Sequence, residues 1–132
     1  MALSLEDHFS IQQLNIRYAR TIDAGDAVGW ATCFVPRGVF ATPDGVEVIG
    51  RRDLIELARR TAAASDAGLR RHWVGAIHAE ARVGGGAGAE CYGLVVGGGE
   101  APSILAAITY EDELERVEGQ WLFRRRAVHL VG

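Results

Sequence analysis

Several features that would place a protein in a class at once are missing from this sequence. Its two cysteines, Cys33 and Cys91, are too few for a disulfide framework. No apolar run approaches the length of a membrane-spanning helix, and the first residues do not resemble a signal peptide. We therefore expect a cytoplasmic protein with reduced thiols and no membrane partner.

Positive charge is not in excess. The formal net charge is −3, whereas a nucleic-acid-binding domain needs a basic face. Arginines do occur in pairs, as at Arg51–Arg52 and Arg70–Arg71, but none of these pairs is interleaved with exposed aromatic residues. We expect most of these arginines to lie on the solvent-exposed surface, and we expect no nucleic-acid partner.

Metal and phosphate sites are also missing from the pattern. The side chains that could ligate a metal have no spacing known from metal sites: Asp23, His72, His78 and His129. The glycine runs Gly84–Gly86 and Gly97–Gly99 precede strand-like sequence, whereas a phosphate-binding loop precedes a helix. We therefore expect neither a metal ion nor another cofactor.

The first half of the chain has helical periodicity. Ser4 and Asp7 match a capping box before the first helix, and Gly25 is typical of its end. Pro36 is expected to end the second helix. The predicted helices are Leu5–Ala24, Asp26 to about Phe34, and Arg52–Ala64.

The remaining sequence is typical of a β-sheet. Asp44-Gly45 predicts a hairpin between Val39–Ala41 and Val46–Ile49, and a loop is predicted at 65–68. Four long strands follow: Arg70–Val83, Gly88–Val96, Ser103–Val117 and Gln120–Val131. Helices followed by long antiparallel strands predict an α+β fold. Strands of this length must coil, which would leave a conical cavity suited to apolar ligands.

Asp23 stands out because it lies in the last turn of a predicted helix, where the backbone dipole disfavours a carboxylate. It follows Ala19 by one turn and Ile16 by two, so it falls on the apolar face. Period-two alternation predicts a common face for four residues of the first long strand: His72, Val74, Ala76 and His78. An Asp and a His brought together would form a general-base pair.

Several stretches together carry a resemblance to a known family. They are Ile11–Leu14 with Tyr18, Asp23 and Asp26, then Gly50-Arg51, Arg71–Gly75, Tyr110–Arg116 and Gly119–Phe123. In order and spacing they resemble the SnoaL-like branch of the nuclear transport factor 2-like superfamily. This branch includes scytalone dehydratase, bile acid dehydratase, hexachlorocyclohexane dehydrochlorinase and polyketide cyclases.

The resemblance covers nearly the whole chain and implies one SnoaL-like domain over residues 1–132. It implies a cone-shaped barrel in which three N-terminal helices pack in a strongly curved, mixed, mostly antiparallel sheet. It also implies a homodimer formed through the sheet. Arg37 departs from the family pattern, because many relatives carry an acid at that position.

The resemblance further implies roles for individual residues. Asp23 and His72 match the acid and histidine of the dehydratases and the dehydrochlorinase, and Tyr18 matches a tyrosine of the bile acid dehydratase type. The candidates for binding substrate are Trp30, Phe34, Phe40, Val74, His78 and Tyr110. Plain packing is the alternative for the aromatic residues, and His78 either reaches the cavity floor or leaves the core. Arg126 is expected to form a surface or dimer salt bridge.

The sequence thus predicts a cofactor-independent lyase or isomerase, of dehydratase or cyclase type, with an Asp–His dyad. Its substrate would be a small, largely apolar carbonyl or hydroxyl compound, such as a polyketide- or steroid-like metabolite. Two alternatives stay open: a non-catalytic pocket that binds an apolar ligand, and a dimerising scaffold whose cavity is filled by its own side chains. The fold by itself does not decide among them.

Overall fold

Three helices precede the long strands in the structure, a computed structural model that describes residues 2–64 and 70–131. They are α1 (Leu5–Ala24), α2 (Ala27–Ala31) and α3 (Arg51–Ala64). The predicted loop at 65–68 lies outside the described residues. None of the helices described is both long enough and apolar enough to cross a membrane.

Local sequence fixes both ends of α1. The Ser4 side chain accepts a hydrogen bond from the Asp7 backbone N–H, and the Asp7 carboxylate accepts one from the Ser4 N–H, so the predicted capping box is confirmed. Gly25 ends the helix with φ of 72°, a left-handed conformation that costs a glycine little. Trp121 Nε1 also donates to Asp7 at 3.0 Å, which joins the start of α1 to the last strand.

The second helix is shorter than predicted. Asp26 caps it as expected, but it ends at Ala31, and strand β1 (Phe34–Ala41) begins before Pro36. The prediction that Pro36 ends a helix reaching Phe34 was wrong. Pro36 lies in β1 where the pairing with the last strand shifts between Phe34 and Val39, so its missing N–H costs no ladder hydrogen bond.

In the described part of the chain, six strands form one sheet, in the order β2-β1-β6-β5-β4-β3. The others are β2 (Glu47–Ile49), β3 (Arg70–Ala81), β4 (Ala87–Gly97), β5 (Ser103–Val117) and β6 (Gln120–Leu130). Only the β1–β6 pair is parallel among the described pairings, and the β1–β2 pair is the predicted hairpin. The sheet is curved, mixed and mostly antiparallel, as expected, and it is not closed, because β2 and β3 are its edges.

A β-bulge interrupts β3 and overturns one prediction. Gly75 pairs with Tyr92 and His78 pairs with Glu90, so two residues, Ala76 and Ile77, face a single residue of β4. Ala76 has φ of 52°. The extra residue reverses the alternation beyond it. His78 therefore does not share a face with His72 and Val74.

The core lies between α1, α2 and the concave face of the sheet. Its largest members are aromatic rings in mutual contact at centroid distances of 5.1–5.8 Å: Tyr18, Trp30, Phe34, Tyr110 and Phe123. Each ring is at most 3% exposed. Tilted and edge-on ring pairs of this kind stabilise a core beyond the area they bury.

Candidate functional site

The end of α1 meets the start of β3 through the side chains of Asp23 and His72. The Asp23 Oδ1 atom lies 2.7 Å from Nδ1 of the His72 ring, and each side chain is 13% exposed. The same carboxylate accepts the backbone N–H of His72, at 3.0 Å to Oδ2 and 3.2 Å to Oδ1. The predicted contact between the Asp23 and His72 side chains is therefore present.

The position of β3 explains why this backbone N–H is available. Because β3 is an edge strand, the N–H groups on its free side have no strand to bond. The Asp23 carboxylate, in the last turn of α1, accepts a hydrogen bond from one of these groups, the backbone N–H of His72. Hydrogen bonds to a charged group contribute about 1.5–3 kcal/mol each, whereas a carboxylate at a helix C-terminus costs about 0.3–1 kcal/mol. The contacts with His72 therefore outweigh the unfavourable dipole.

This geometry assigns different roles to the two ring nitrogens of His72. A carboxylate oxygen accepts, so Nδ1–H is the donor in this hydrogen bond, and Nε2 is the acceptor nitrogen of the corresponding neutral tautomer. Among the described residues, nothing hydrogen-bonds to Nε2. An imidazole oriented in this way can accept a proton at Nε2, and the carboxylate then stabilises the imidazolium.

A second polar centre, which the sequence did not predict, lies in the core. Arg126 is fully buried and binds Asp112 through two hydrogen bonds, Nε to Oδ1 at 2.8 Å and Nη2 to Oδ2 at 3.0 Å. Its Nη2 also donates to Oδ1 of Asn15 at 2.6 Å and lies 3.2 Å from Sγ of Cys91. The expectation of a surface or dimer salt bridge for Arg126 was wrong.

Aromatic rings complete the surroundings of Arg126. Its guanidinium carbon is 3.9 Å from the centre of the Tyr110 ring, 4.2 Å from that of Phe123 and 4.4 Å from that of Tyr18. Burial alone would lower the pKa of Arg126, but the Asp112 carboxylate holds it above its usual value. Burial also raises the pKa of Cys91 to about 12, so this residue is a thiol.

A sequence signal for this centre existed. Asp112 is one of a series of residues of β5 that are two positions apart and therefore share one face of the strand. The others are apolar or aromatic: Ile108, Tyr110 and Leu114. Alternation alone therefore predicts that Asp112 points inward. Asn15 follows Ile11 by one turn on the apolar face of α1. Polar residues at apolar positions indicate a buried hydrogen-bonded network.

The other predicted site residues lie in three places. Tyr18, Trp30, Phe34 and Tyr110 are buried in the aromatic core, and Phe40 contacts the rings of Trp30 and Phe34. Val74 is half-buried on the same side of β3 as His72. Burial raises the pKa of Tyr18 well above its usual value, so its phenol keeps its proton at neutral pH. Trp30 Nε1 and Arg126 Nη1 are buried, and neither has a hydrogen-bond partner among the residues that the structure describes.

His78 and His129 lie on the outer face of the sheet. His78 Nε2 is 2.9 Å from Oε1 of Glu80, with both side chains 74% exposed, and His129 pairs with Glu111 at 3.7 Å. Both histidines border an open concavity of about 700 Å³ on that face. His78 is thus removed from the interior, because the bulge in β3 reversed its direction. Within residues 2–64 and 70–131, no three His, Cys, Asp or Glu side chains are grouped to hold a metal ion.

The arrangement of a dyad at the end of the first helix, beneath a curved sheet, can be compared with known proteins. The sequence profile of the SnoaL-like domain family matches residues 3–127. The chain belongs to this family. The SnoaL-like family includes polyketide cyclases and dehydratases of the lyase and isomerase type. No match was found among the curated proteins.

Solved structures share the SnoaL-like fold over most of the chain. Rv3472 from Mycobacterium tuberculosis, described as a protein of unknown function, is 31% identical, with a TM-score of 0.85, over 93% of this chain and 70% of its own. Aln2 from a Streptomyces species is 24% identical, with a TM-score of 0.90, over 98% and 94% of the two chains. ActVI-ORFA from Streptomyces coelicolor is 22% identical, with a TM-score of 0.85, over 93% of each chain. The last two likenesses show the fold alone.

Proposed function

We propose that this SnoaL-like protein is a cytoplasmic, cofactor-independent acid–base enzyme, a dehydratase, isomerase or cyclase. Its substrate would be a small, largely apolar carbonyl or hydroxyl compound. The observation that carries the proposal is the contact of 2.7 Å between Asp23 Oδ1 and His72 Nδ1, which orients the ring and leaves Nε2 free to act. Membership of a family that includes such enzymes supports the same reaction class.

The proposed reaction begins with removal of a proton from carbon. His72 Nε2 takes a proton from the carbon next to a carbonyl, and the electron pair of the C–H bond becomes an enolate. Asp23 stabilises the imidazolium that results. In dehydration the enolate expels a β-hydroxyl, which leaves as water with one added proton. In isomerisation the proton returns to a different carbon. In cyclisation the enolate carbon bonds to a second carbonyl carbon, the C=O π bond breaks, and the resulting alkoxide takes the proton back from His72.

Tyr18 is the proposed proton donor. Its phenol stays protonated because burial raises its pKa, so it can polarise the carbonyl or protonate the leaving hydroxyl. Positioned proton transfer contributes about 10²–10⁴-fold to rate, and the water-poor interior would have to supply the rest. Val74 is proposed to contact the apolar part of the substrate, whereas the rings of Trp30, Phe34, Phe40 and Tyr110 pack against other rings of the aromatic core.

The test measures proton removal directly. The protein is incubated in D₂O with a panel of cyclic ketones and β-hydroxyketones, and deuterium incorporation next to the carbonyl and loss of water are followed by NMR. We expect exchange with the native protein and none with His72→Ala. His129→Ala is the matched control, because this histidine also pairs with a carboxylate but lies on the outer face. Full exchange with both His72→Ala and Asp23→Asn would end the proposal.

A second candidate is a non-catalytic pocket that binds an apolar ligand. One observation favours it: Asp23 and His72 point at each other, and Asp23 also bonds the His72 backbone, as a purely structural pair would. Retained ligand binding with no proton exchange across the panel would support this reading.

We also propose that two copies associate through the outer face of the sheet. Trp73 and Leu94 lie opposite each other on β3 and β4, and Tyr92 lies two residues before Leu94. These three side chains are 67%, 39% and 63% exposed, an apolar patch that a partner would cover. Light scattering should give twice the monomer mass, and Trp73→Glu should return the monomer. A monomeric native protein would contradict this.

A further inference from the structure

A groove between α1 and β3 has the dimensions of a ligand site. Its volume is about 320 Å³, within the range of about 300–1,000 Å³ typical of small-molecule sites. Apolar side chains from both elements form its walls: Ile11 and Ile16 from α1, and Val74, Ile77 and Ala79 from β3. We call this feature the α1–β3 groove.

The bulge of β3 contributes to one wall of this groove. Gly75 and Ala76 line it, and Ala76 has φ of 52°, a left-handed conformation that non-glycine residues rarely adopt. The extra residue turns Ile77 and Ala79 towards α1 and His78 away from it. Strained positions and bulges concentrate next to functional sites, so the strain points to a role for this wall.

Three polar side chains also line the groove, His8, Gln12 and Asn15, and hydrogen bonds orient Asn15. Asn15 is 2% exposed. Arginine only donates hydrogen bonds, so the Asn15 atom that faces Arg126 at 2.6 Å must be the amide oxygen. The amide nitrogen donates one N–H to the Ile11 carbonyl at 3.0 Å. It carries a second N–H, which can donate to an oxygen atom of a guest.

The α1–β3 groove is aligned with the dyad. Ile16 and Asp23 are two helical turns apart on one face of α1, and Val74 and His72 are on one side of β3. The eight residues from Asn15 to Asp23 span about 12 Å of helix. A guest that reaches from Asn15 to His72 must therefore be elongated.

We propose that the α1–β3 groove binds the apolar body of the substrate and that the Asn15 amide binds an oxygen atom at the end remote from the reacting carbon. The substrate class is an elongated molecule of two or three fused rings, or a chain of equal length, with one oxygen about 10 Å from the acidic C–H. This inference rests on the proposed function, since it places the reacting carbon at His72.

The binding test uses 2-naphthol and naphthalene, which differ by one hydroxyl group, with ¹⁵N-labelled protein. We expect 2-naphthol to shift the amide resonances of Gly75 and Ile77 and the side-chain amide of Asn15, and to bind more tightly than naphthalene. Ile16→Trp should weaken binding by about tenfold or more, because the indole fills the groove. Val28→Trp is the matched control, an exposed helix residue away from the groove.

Two results would overturn the inference: equal dissociation constants for Ile16→Trp and Val28→Trp, or shifts confined to residues outside the groove. Asn15→Ala should abolish the preference for 2-naphthol over naphthalene. If Asn15→Ala does not fold, the dissociation constant of Ile16→Trp tests the groove instead. His129→Ala, on the outer face of the sheet, should leave 2-naphthol binding unchanged. Proton exchange without groove binding would refute the groove alone, and groove binding without proton exchange would refute the proposed function alone.

Discussion

Two carboxylates inside this molecule each bind a nitrogen-containing side chain, and the two pairs differ in what they can do. Asp23 Oδ1 lies 2.7 Å from His72 Nδ1, and each side chain is 13% exposed. Asp112 Oδ1 lies 2.8 Å from Arg126 Nε, and both side chains are fully buried. Arginine has no acceptor and never loses its proton in proteins, whereas histidine can exchange one near neutral pH. The comparison shows that similar distances support different roles.

Surroundings reinforce the difference. The Arg126 guanidinium has partners on several sides, including Asn15 of α1 and three aromatic rings, so it ties the helix to the sheet. The His72 ring has a described partner at one nitrogen only. We interpret the Arg126 pair as the structural centre and the His72 pair as the reactive one, and the following substitutions test that division.

The largest effect is expected from Asp23→Asn. An amide cannot hold the same tautomer or stabilise the imidazolium, so the proton-exchange rate should fall by about 10²–10⁴-fold. Urea unfolding should show a smaller loss than for Asp112→Asn, because the amide oxygen can still accept a hydrogen bond from His72 and the unfavourable helix dipole no longer acts on a charge. A variant that exchanges at the native rate would remove the distinction between the two pairs.

Asp112→Asn should show the opposite behaviour. It leaves a buried guanidinium without its counter-charge, and breaking such a pair costs about 3–5 kcal/mol in the free energy of unfolding. Chemical denaturation measures this loss. The double variant Asp112→Leu/Arg126→Met should recover most of it, because no buried charge remains. A single variant as stable as the native protein would show that the pair does not hold the core together.

A smaller effect is expected at the bulge of β3, which follows His72 on the same strand. Ala76→Gly should raise the free energy of unfolding by up to about 1 kcal/mol, because glycine adopts the φ of 52° without strain. Ala81→Gly on the same strand has no such strain to relieve and should lower stability. Equal changes in the two variants would contradict the strain at residue 76.

The smallest effect concerns Asp7, a third carboxylate, at the start of α1. Hydrogen bonds from the Ser4 backbone, from Trp121 and from the Ser4 side chain lower its pKa from 3.8 to about 2. Because this pKa is lower in the folded than in the unfolded chain, ionised Asp7 stabilises the fold at pH values above its unfolded pKa. The stabilisation is lost as the pH falls through about 2.

Thermal unfolding of Asp7→Asn should therefore show a lower melting temperature than the native protein above about pH 4, and the gap should narrow towards pH 2. Glu6→Gln, in the same turn, is the matched control. A gap that stays constant over this range would show that charge on Asp7 does not contribute.

The helices and strands were largely predictable because their signals are local. The capping box at Ser4 and the glycine at Gly25 set the bounds of α1, and the Asp44-Gly45 turn set the hairpin. Pro36 misled because proline ends helices and also occurs in irregular strands, and only the shifted β1–β6 register distinguishes the two cases.

The candidate site was predictable in part. A carboxylate on the apolar face at the end of a helix pointed to Asp23, and the family resemblance supplied His72 as its partner. The inward direction of Arg126 was missed because a run of three arginines suggests a solvated surface. The direction of His78 was missed because alternation assumes a regular strand, and a bulge depends on pairing with β4.

By itself, the sequence determined where α1 begins and ends, where the four long strands lie, and that one acid stands at an unfavourable helix end. Those features depend on neighbours within a turn or a pleat. Only the tertiary structure decided that Asp23 meets a histidine 49 residues away, that Arg126 is buried against Asp112, and that β3 reverses its faces at Ala76. Such contacts depend on how the sheet coils and how its strands pair. Both depend on residues that are far apart in the sequence.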